Sequence, residues 1–190
     1  MMDRMSSGDV TALLERVAAG DAAARDSLLA GVYEHLYAIA RRQMLGERAG
    51  HTLSPTALVH DAFLNLVRQD RASFNDRAHF LAAAALAMRR ILVSHARKRA
   101  AEKRGLDPQR ITLGDEHAAD KPMSLEDLMA LDAALTKLGE LNERQARVVV
   151  YRAFGAMTDA EIAHSLGVSV PTVRRDYRVA TAWLRRELVP

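Results

Sequence analysis

Apolar residues recur every three or four positions through most of the chain, which is the spacing of one face of an α-helix. Leu28, Val32 and Leu36 repeat at intervals of four and predict a long amphipathic helix from Asp21 to about Leu45. Gly20 stands just before this segment, where a preceding helix would end in the left-handed conformation that glycine adopts easily. The first part of the chain is therefore predicted to be helical.

Start signals place two more helices in the first half. Ser54 is a helix cap and Pro55 suits the first helical position, where its missing N–H is not needed. The helix behind them carries an apolar stripe of Leu58, Ala62, Phe63 and Leu66. A further helix is predicted from Arg77 to Arg104, apolar in its first half and basic in its second.

The same signals continue after Ser124. Leucines at three- and four-residue spacing predict one helix there, and Asn142 is suited to cap the next. Thr158 and Glu161 have the spacing of a capping box, in which each side chain satisfies a backbone N–H of the other residue. Only helices are indicated, so the fold class predicted is all-α.

Composition removes several function classes. The 190 residues contain no cysteine, which excludes disulfides, Cys-ligated metals and thiol nucleophiles. The seven histidines form no i, i+4 pair, and no glycine-rich phosphate loop is present. We therefore predict no enzyme activity, no metal and no cofactor.

The net charge is +3, but the chain divides into three blocks whose charges differ in sign. Residues 1–106 carry 16 basic and 11 acidic side chains, 107–130 carry 2 and 6, and 131–190 carry 9 and 7. The acidic stretch also contains Gly and Pro without apolar periodicity, as linkers do. We predict two small helical domains, 1–106 and 124–190, joined by an acidic linker at 107–123.

No segment is suited to cross a membrane. The longest apolar run, Phe80–Met88, has nine residues, whereas a span needs roughly 20. Residues 1–10 are charged and show no secretory signal. A cytoplasmic protein without a membrane partner is expected.

The most specific motif runs from Thr158 to Leu184. A short helix with the small Ala163, a turn at Gly167 and a second helix capped by Ser169 form the pattern of a helix-turn-helix, whose second helix enters the DNA major groove. An arginine fork can bond a guanine edge or a phosphate. The predicted DNA contacts are Val170, Pro171, Thr172, Arg174, Arg175 and Arg178.

Two alternatives accompany this interpretation. Arginines on one side of an isolated amphipathic helix usually form a solvated face, and only the coincidence of capping box, turn glycine and arginines favours DNA binding. Asp176, among those arginines, is suited either to accept a hydrogen bond from a cytosine amine or to pair with a neighbouring arginine.

A second basic region lies in the first half. From Arg89 to Arg104 the chain carries seven basic residues against one acid, a density that attracts phosphates. The loop Phe74, Asn75 and Asp76 precedes this helix, and an aromatic ring beside an amide is suited to hold an unstacked base. Taken alone, a phenylalanine in such a position more often fills the core than stacks on a base.

Both regions together resemble one family. The SFND loop, the RRILVSHARKR helix, an acidic linker and EIAHSLGVSVPTVRRDYRVATAWLRREL are similar to a bacterial RNA polymerase sigma factor of the small, two-domain extracytoplasmic-function type. The resemblance covers nearly the whole chain. It implies that the first domain binds core RNA polymerase and melts the minus 10 promoter element, and that the helix-turn-helix binds the minus 35 element.

The resemblance also implies roles for particular residues. Asp61, Asn65 and Arg68 match the polymerase-binding region. Phe74, Asn75 and Asp76 match the loop that captures a flipped base, and Arg90 stands where the family commonly has an Asn in the same pocket. Arg97, Lys98 and Arg99 match the phosphate-binding helix. Thr56-Ala57 replaces an acidic pair that the family often places before the clamp-binding motif.

The partners predicted are thus core RNA polymerase and promoter DNA. An anti-sigma factor or another regulator is a further candidate partner, and the sequence does not identify it. The strongest rival function is a helix-turn-helix regulator that senses a ligand or phosphorylation, but residues 1–106 show neither a receiver pattern nor a ligand-pocket module. A helical bundle that only binds other proteins is the third option, and the basic helix argues against it.

Overall fold

The computed structural model describes residues 7–43, 54–67, 74, 76–104 and 124–188. Within these ranges the chain forms α-helices and no strand, so the predicted all-α fold is confirmed. The helices are α1 (Ser7–Ala18), α2 (Ala22–Gln43), α3 (Pro55–Val67), α4 (Arg77–Arg104), α5 (Leu125–Leu141), α6 (Glu143–Gly155), α7 (Asp159–Leu166) and α8 (Val170–Leu188).

Side chains that cap the helices explain where they begin. The Ser54 hydroxyl accepts a hydrogen bond from the Ala57 amide at 3.1 Å, and Ser124 and Thr158 each complete a capping box. Asn142 accepts from the Gln145 amide at 3.1 Å. Each interaction satisfies one backbone donor that a helix start leaves without a partner. The predicted starts of α3, α5, α6 and α7 are confirmed.

Left-handed glycines end two of the helices, and a left-handed Ala156 with a φ of 45° ends α6. Gly20 follows α1 with a φ of 88°, and Gly167 ends α7 with a φ of 63°. The Gly167 amide then bonds back to the Ala163 and His164 carbonyls. A side chain at either position would strain the backbone, so these two glycines fix the turns into α2 and α8.

Helices α1–α4, hereafter the N-terminal half, pack around α4. Helix α3 lies against α4 and α2, and α1 lies against α2. The inner face of α4 contributes fully buried Phe80, Ala84 and Met88. The apolar stripe predicted for α3 is buried as well, which turns the opposite face of that helix outward.

Helices α5–α8, hereafter the C-terminal half, pack around α6. Helix α6 contacts α5, α7 and α8, and seven of its residues, among them Val148 and Phe154, are buried. The final helix α8 also packs on α5 and α7. Its buried positions Val173, Ala180 and Leu184 lie on one face, as the period of the sequence predicts.

The two halves pack against each other along α4. This helix contacts α5, α6 and α7, and the buried apolar residues of both halves form one continuous cluster. At Gly155 a Cβ atom would lie 3.0 Å from the Ala85 Cβ, so the missing side chain permits a close approach of α6 to α4. The predicted linker lies outside the described residues, and the domain boundaries stay a prediction.

Among the described residues, no helix is both long enough and apolar enough to cross a membrane.

Candidate nucleic-acid interface

The first turns of α8 present a basic surface. Arg174 and Arg175 leave 69% and 66% of their side chains exposed, and Arg178 one turn further is exposed too. Val173, just before Arg174, is fully buried and docks the helix. Pro171 is exposed, while Val170 and Thr172 are half-buried. Of the residues predicted to meet DNA, Pro171 and the three arginines are therefore exposed, whereas Val170 packs partly against the core.

Asp176 lies on the opposite side of α8 and is only 2% exposed. Its carboxylate accepts a hydrogen bond from Arg144 Nε of α6 at 2.6 Å, while Arg175 Nε is 3.9 Å away. The bond to Asp176 raises the pKa of Arg144. Of the two roles that the sequence left open, the structure favours pairing with an arginine. Asp176 has the i+3 spacing from Val173, and that spacing is the signal for its burial.

We predict that loss of Arg144 destabilises the protein more than neutralisation of its partner Asp176. Arg144→Ala leaves a buried carboxylate without its main partner and should lower the free energy of unfolding by about 2 kcal/mol, whereas Asp176→Asn should cost about half as much. Urea denaturation followed by circular dichroism measures both. Arg147→Ala, which breaks an exposed pair with Glu143 on the same helix, is the control and should cost at most about 0.5 kcal/mol. Equal losses for Arg144→Ala and Arg147→Ala would contradict the assignment.

Asp159, the first residue of α7, orients one arginine of the basic surface. Its Oδ2 accepts from Arg174 Nε at 3.0 Å, and its other oxygen pairs with Arg152 of α6. The Arg152 guanidinium in turn lies 4.1 Å from the centre of the Tyr177 ring. Because Arg174 bonds Asp159 through Nε and its side chain is 69% exposed, its two terminal nitrogens can bond a guanine edge end-on.

A second basic surface, hereafter the basic face of α4, comprises Arg89, Arg90, Arg97, Lys98 and Arg99. Arg90, Arg97 and Lys98 are exposed, while Arg89 and Arg99 are half-buried. Part of this face lines a cleft of about 400 Å³ between α4 and α5, together with Leu86, Val93, Ser94 and Asp132. A neighbouring cleft is lined by Arg90, Lys98 and Asp61 of α3, among others. Such a surface is suited to hold phosphates.

The loop residues before α4 are already engaged within the protein. Phe74 is half-buried, and its ring meets the Phe80 ring edge to face at 5.4 Å. Asp76 caps α4, since Oδ1 accepts from the His79 amide at 2.9 Å, and Oδ2 lies 2.7 Å from His164 Nε2. Burial acts to raise the pKa of Asp76, but these hydrogen bonds outweigh it and lower the pKa. Asn75 lies outside the described residues.

Arg90 does not join Phe74 and Asp76 in one pocket. Fourteen residues of continuous helix separate it from Asp76, which is about 21 Å along the axis of α4. The resemblance implies a shared pocket, and the continuous helix between Asp76 and Arg90 is the physical reason that these two residues do not share one. Arg90 belongs with the basic face of α4.

The candidate polymerase contacts lie on α3. Asp61 and Asn65 are exposed, because Leu58, Ala62 and Leu66 of the same helix point into the core. Leu64 beside them is 36% exposed. The outward orientation expected from the apolar stripe is confirmed, and the role of the two residues stays a prediction. Arg68 lies outside the described residues.

Charged pairs across the two halves were not foreseen from the sequence. Asp132 of α5 bonds Arg89 Nη2 at 2.6 Å and Arg97 Nη2 at 3.0 Å, and Arg77 of α4 pairs with Glu161 of α7. Burial acts to raise the pKa of Glu161, but hydrogen bonds from Thr158 and the charge of Arg77 lower it. These partners are 35 to 84 residues apart, so no local spacing indicates them.

The geometry defines an all-helical protein with two arginine-rich surfaces, and the part of the chain that the structure describes has no group of three or more acidic or histidine side chains suited to a metal ion. A family model described as ECF sigma factor matches residues 7–189. The chain therefore belongs to the ECF sigma factor family. Its members are transcription factors rather than enzymes, and the chain is accordingly a transcription initiation factor that binds core RNA polymerase and promoter DNA.

One solved structure with a similar chain is described as CnrH in complex with the cytosolic domain of CnrY. It is 22% identical, with a TM-score of 0.46, and the similarity covers 95% of this chain and 97% of that one. No match was found among curated proteins.

Proposed function

We propose that the chain directs promoter-specific initiation through two separate DNA contacts. Helix α8 binds the duplex minus 35 element, with α7 and α8 acting as the helix-turn-helix. The basic face of α4 and the loop at Phe74 hold the melted minus 10 strand, while Asp61 and Asn65 of α3 bind the polymerase. The acidic segment 107–123 links a polymerase-binding domain, residues 1–106, to a duplex-binding domain, residues 124–190.

The arrangement of α8 carries this proposal. Val173, Ala180 and Leu184 fix one face of the helix on α5–α7, and the exposed arginines occupy its N-terminal turns, the part of a recognition helix that meets base edges. The basic face of α4 supplies affinity for phosphates without base selection. This difference between the two surfaces supports sequence-specific binding of duplex DNA by the C-terminal half and binding of the melted single strand by the N-terminal half.

Promoter-specific initiation is tested by transcription from a pooled library of upstream fragments of the source genome. Purified core polymerase, with and without the chain, is given the pool, and the 5′ ends of the RNA are sequenced. We expect start sites that appear only with the chain and share two upstream elements. Identical start sites in both reactions would refute the proposal.

Single alanine variants separate base contacts from phosphate contacts on α8. Loss of a base-reading arginine among Arg174, Arg175 and Arg178 should relax the preference at one position of the minus 35 element by about tenfold. Loss of a phosphate contact should weaken all sequences alike and reduce the salt dependence. Binding to a library of labelled duplexes measures both. Arg185→Ala, at the far end of the helix, is the control. Unchanged binding in all three variants would show that α8 does not contact the duplex.

A further inference from the structure

The basic face of α4 is partly occupied by the chain itself. Both carboxylate oxygens of Asp132 are engaged there, since Oδ1 accepts from Arg89 Nε at 2.9 Å and from Nη2 at 2.6 Å, while Oδ2 accepts from Arg97 Nη2 at 3.0 Å. The Asp132 carbonyl accepts a further bond from Arg89 Nη2 at 3.1 Å. Only 12% of the Asp132 side chain is exposed. An acidic group of the C-terminal half thus occupies a position suited to a phosphate.

We propose that Asp132 and the phosphates of a melted DNA strand are mutually exclusive partners of the basic face of α4. The packed arrangement of the two halves is then a closed form that holds no strand, and strand binding requires α5 to leave α4. This inference rests on the proposed function, because it takes the basic face of α4 as the strand-holding surface.

Further contacts keep the halves together at the other end of α4. Arg77 pairs with Glu161, and the Asp76 carboxylate lies 2.7 Å from His164 Nε2. Gly155 lies against Ala85 between these two ends. Asp76 and Arg77, close to Phe74 in the chain, are therefore held to α7 in the same arrangement that holds Arg89 to α5.

The closed form leaves the other DNA surface open. Arg174 and Arg175 on α8 are about two-thirds exposed, and α8 packs on α5, α6 and α7 rather than shielding its arginines. The closed form should therefore bind single-stranded DNA weakly while it binds duplex DNA normally. Separation of the halves is sterically feasible, because the 19 residues between Arg104 and Ser124 would span ~65 Å when extended.

A disulfide across the halves tests the exclusion, and the natural chain has no cysteine to interfere. Ala85→Cys with Gly155→Cys joins α4 to α6, where the two Cβ positions lie 3.0 Å apart and need a shift of about 0.8 Å to reach disulfide geometry. The control is Gly139→Cys with Ala146→Cys, whose Cβ positions are 3.9 Å apart and join α5 to α6 within the C-terminal half. Both are made in the full chain.

The probes are fluorescent random-sequence DNAs of about 20 nucleotides, one single-stranded and one duplex, measured by anisotropy. We expect the oxidised 85–155 variant to bind the single strand at least about tenfold more weakly than after reduction, with duplex binding changed less than about twofold. The oxidised control should bind both probes as the natural chain does.

A second pair of variants does not depend on disulfide geometry. Asp132→Asn removes the competing charge and should tighten single-strand binding by about fivefold. Glu126→Gln removes an equal charge from an exposed position on the same helix and should change it little. Equal effects of the two substitutions would mean that only net charge matters.

Each remaining outcome is decisive. If the locked form binds the single strand as tightly as the reduced form, the basic face of α4 stands as the strand site and the exclusion is wrong. If no form binds the single strand, the strand site itself is wrong, and the proposal fails with it. If the 85–155 disulfide does not form, because a side chain at Gly155 crowds Ala85 and Met157, the Asp132→Asn and Glu126→Gln pair decides alone, and equal single-strand binding by these two variants refutes the exclusion.

Discussion

Core polymerase supplied with the Asp61→Arg variant should lose at least about tenfold of its promoter-specific transcription. Asp61 is exposed on α3 beside Asn65, and it lines a cleft with Arg90 and Lys98. The prediction takes the polymerase surface that faces Asp61 to be basic; a cation at this position would then replace an attraction with a repulsion, and like charges facing each other across an interface cost several kcal/mol. The loss should appear as weaker co-purification with core polymerase.

Glu34→Arg is the matched control for this reversal. Glu34 is an exposed acid on α2, so the substitution changes the net charge equally on a different helix. The control should co-purify and transcribe as the natural chain does. If Asp61→Arg behaves like Glu34→Arg, the polymerase contact lies on another surface of the N-terminal half.

Helix positions were predictable because the signals that set them are local. Ser54-Pro55, the capping boxes at Ser124 and Thr158, and the turn at Gly167 each act within four residues of themselves. Such interactions depend only on residues close together in the chain, so the sequence contains all the residues that take part in each of them. The arginines on the outer face of α8 follow from the same periodicity.

Contacts between the halves were not predictable in this way. Asp132 is one of four acids on α5, and nothing in its neighbourhood marks it as the partner of Arg89 and Arg97 on α4. Its role arises from the packing of α5 on α4, which depends on the shape of both halves. The position of Arg90 has a related explanation: the resemblance to the family places Arg90 in the same pocket as Phe74, whereas the continuous helix α4 carries Arg90 away from that loop.

Phe74 is expected to decide whether the minus 10 strand is held in the melted state. In the structure its ring meets Phe80 edge to face and is only half-buried, a position consistent both with filling the core and with stacking on a base. Phe74→Leu keeps most of the apolar volume and removes the aromatic face, whereas Phe74→Tyr keeps the ring. Stacking on an aromatic side chain contributes about 1–3 kcal/mol per base.

If Phe74 stacks on a base, Phe74→Leu should reduce open complexes by up to about a hundredfold while lowering the free energy of unfolding by less than about 1.5 kcal/mol. Phe74→Tyr should retain melting. Permanganate reactivity of promoter thymines in the polymerase complex measures strand opening, and urea denaturation measures stability. If Phe74→Leu opens promoters as well as Phe74→Tyr does, the aromatic face is not needed, and Phe74 fills the core against Phe80. In that case the basic face of α4 holds the strand without it.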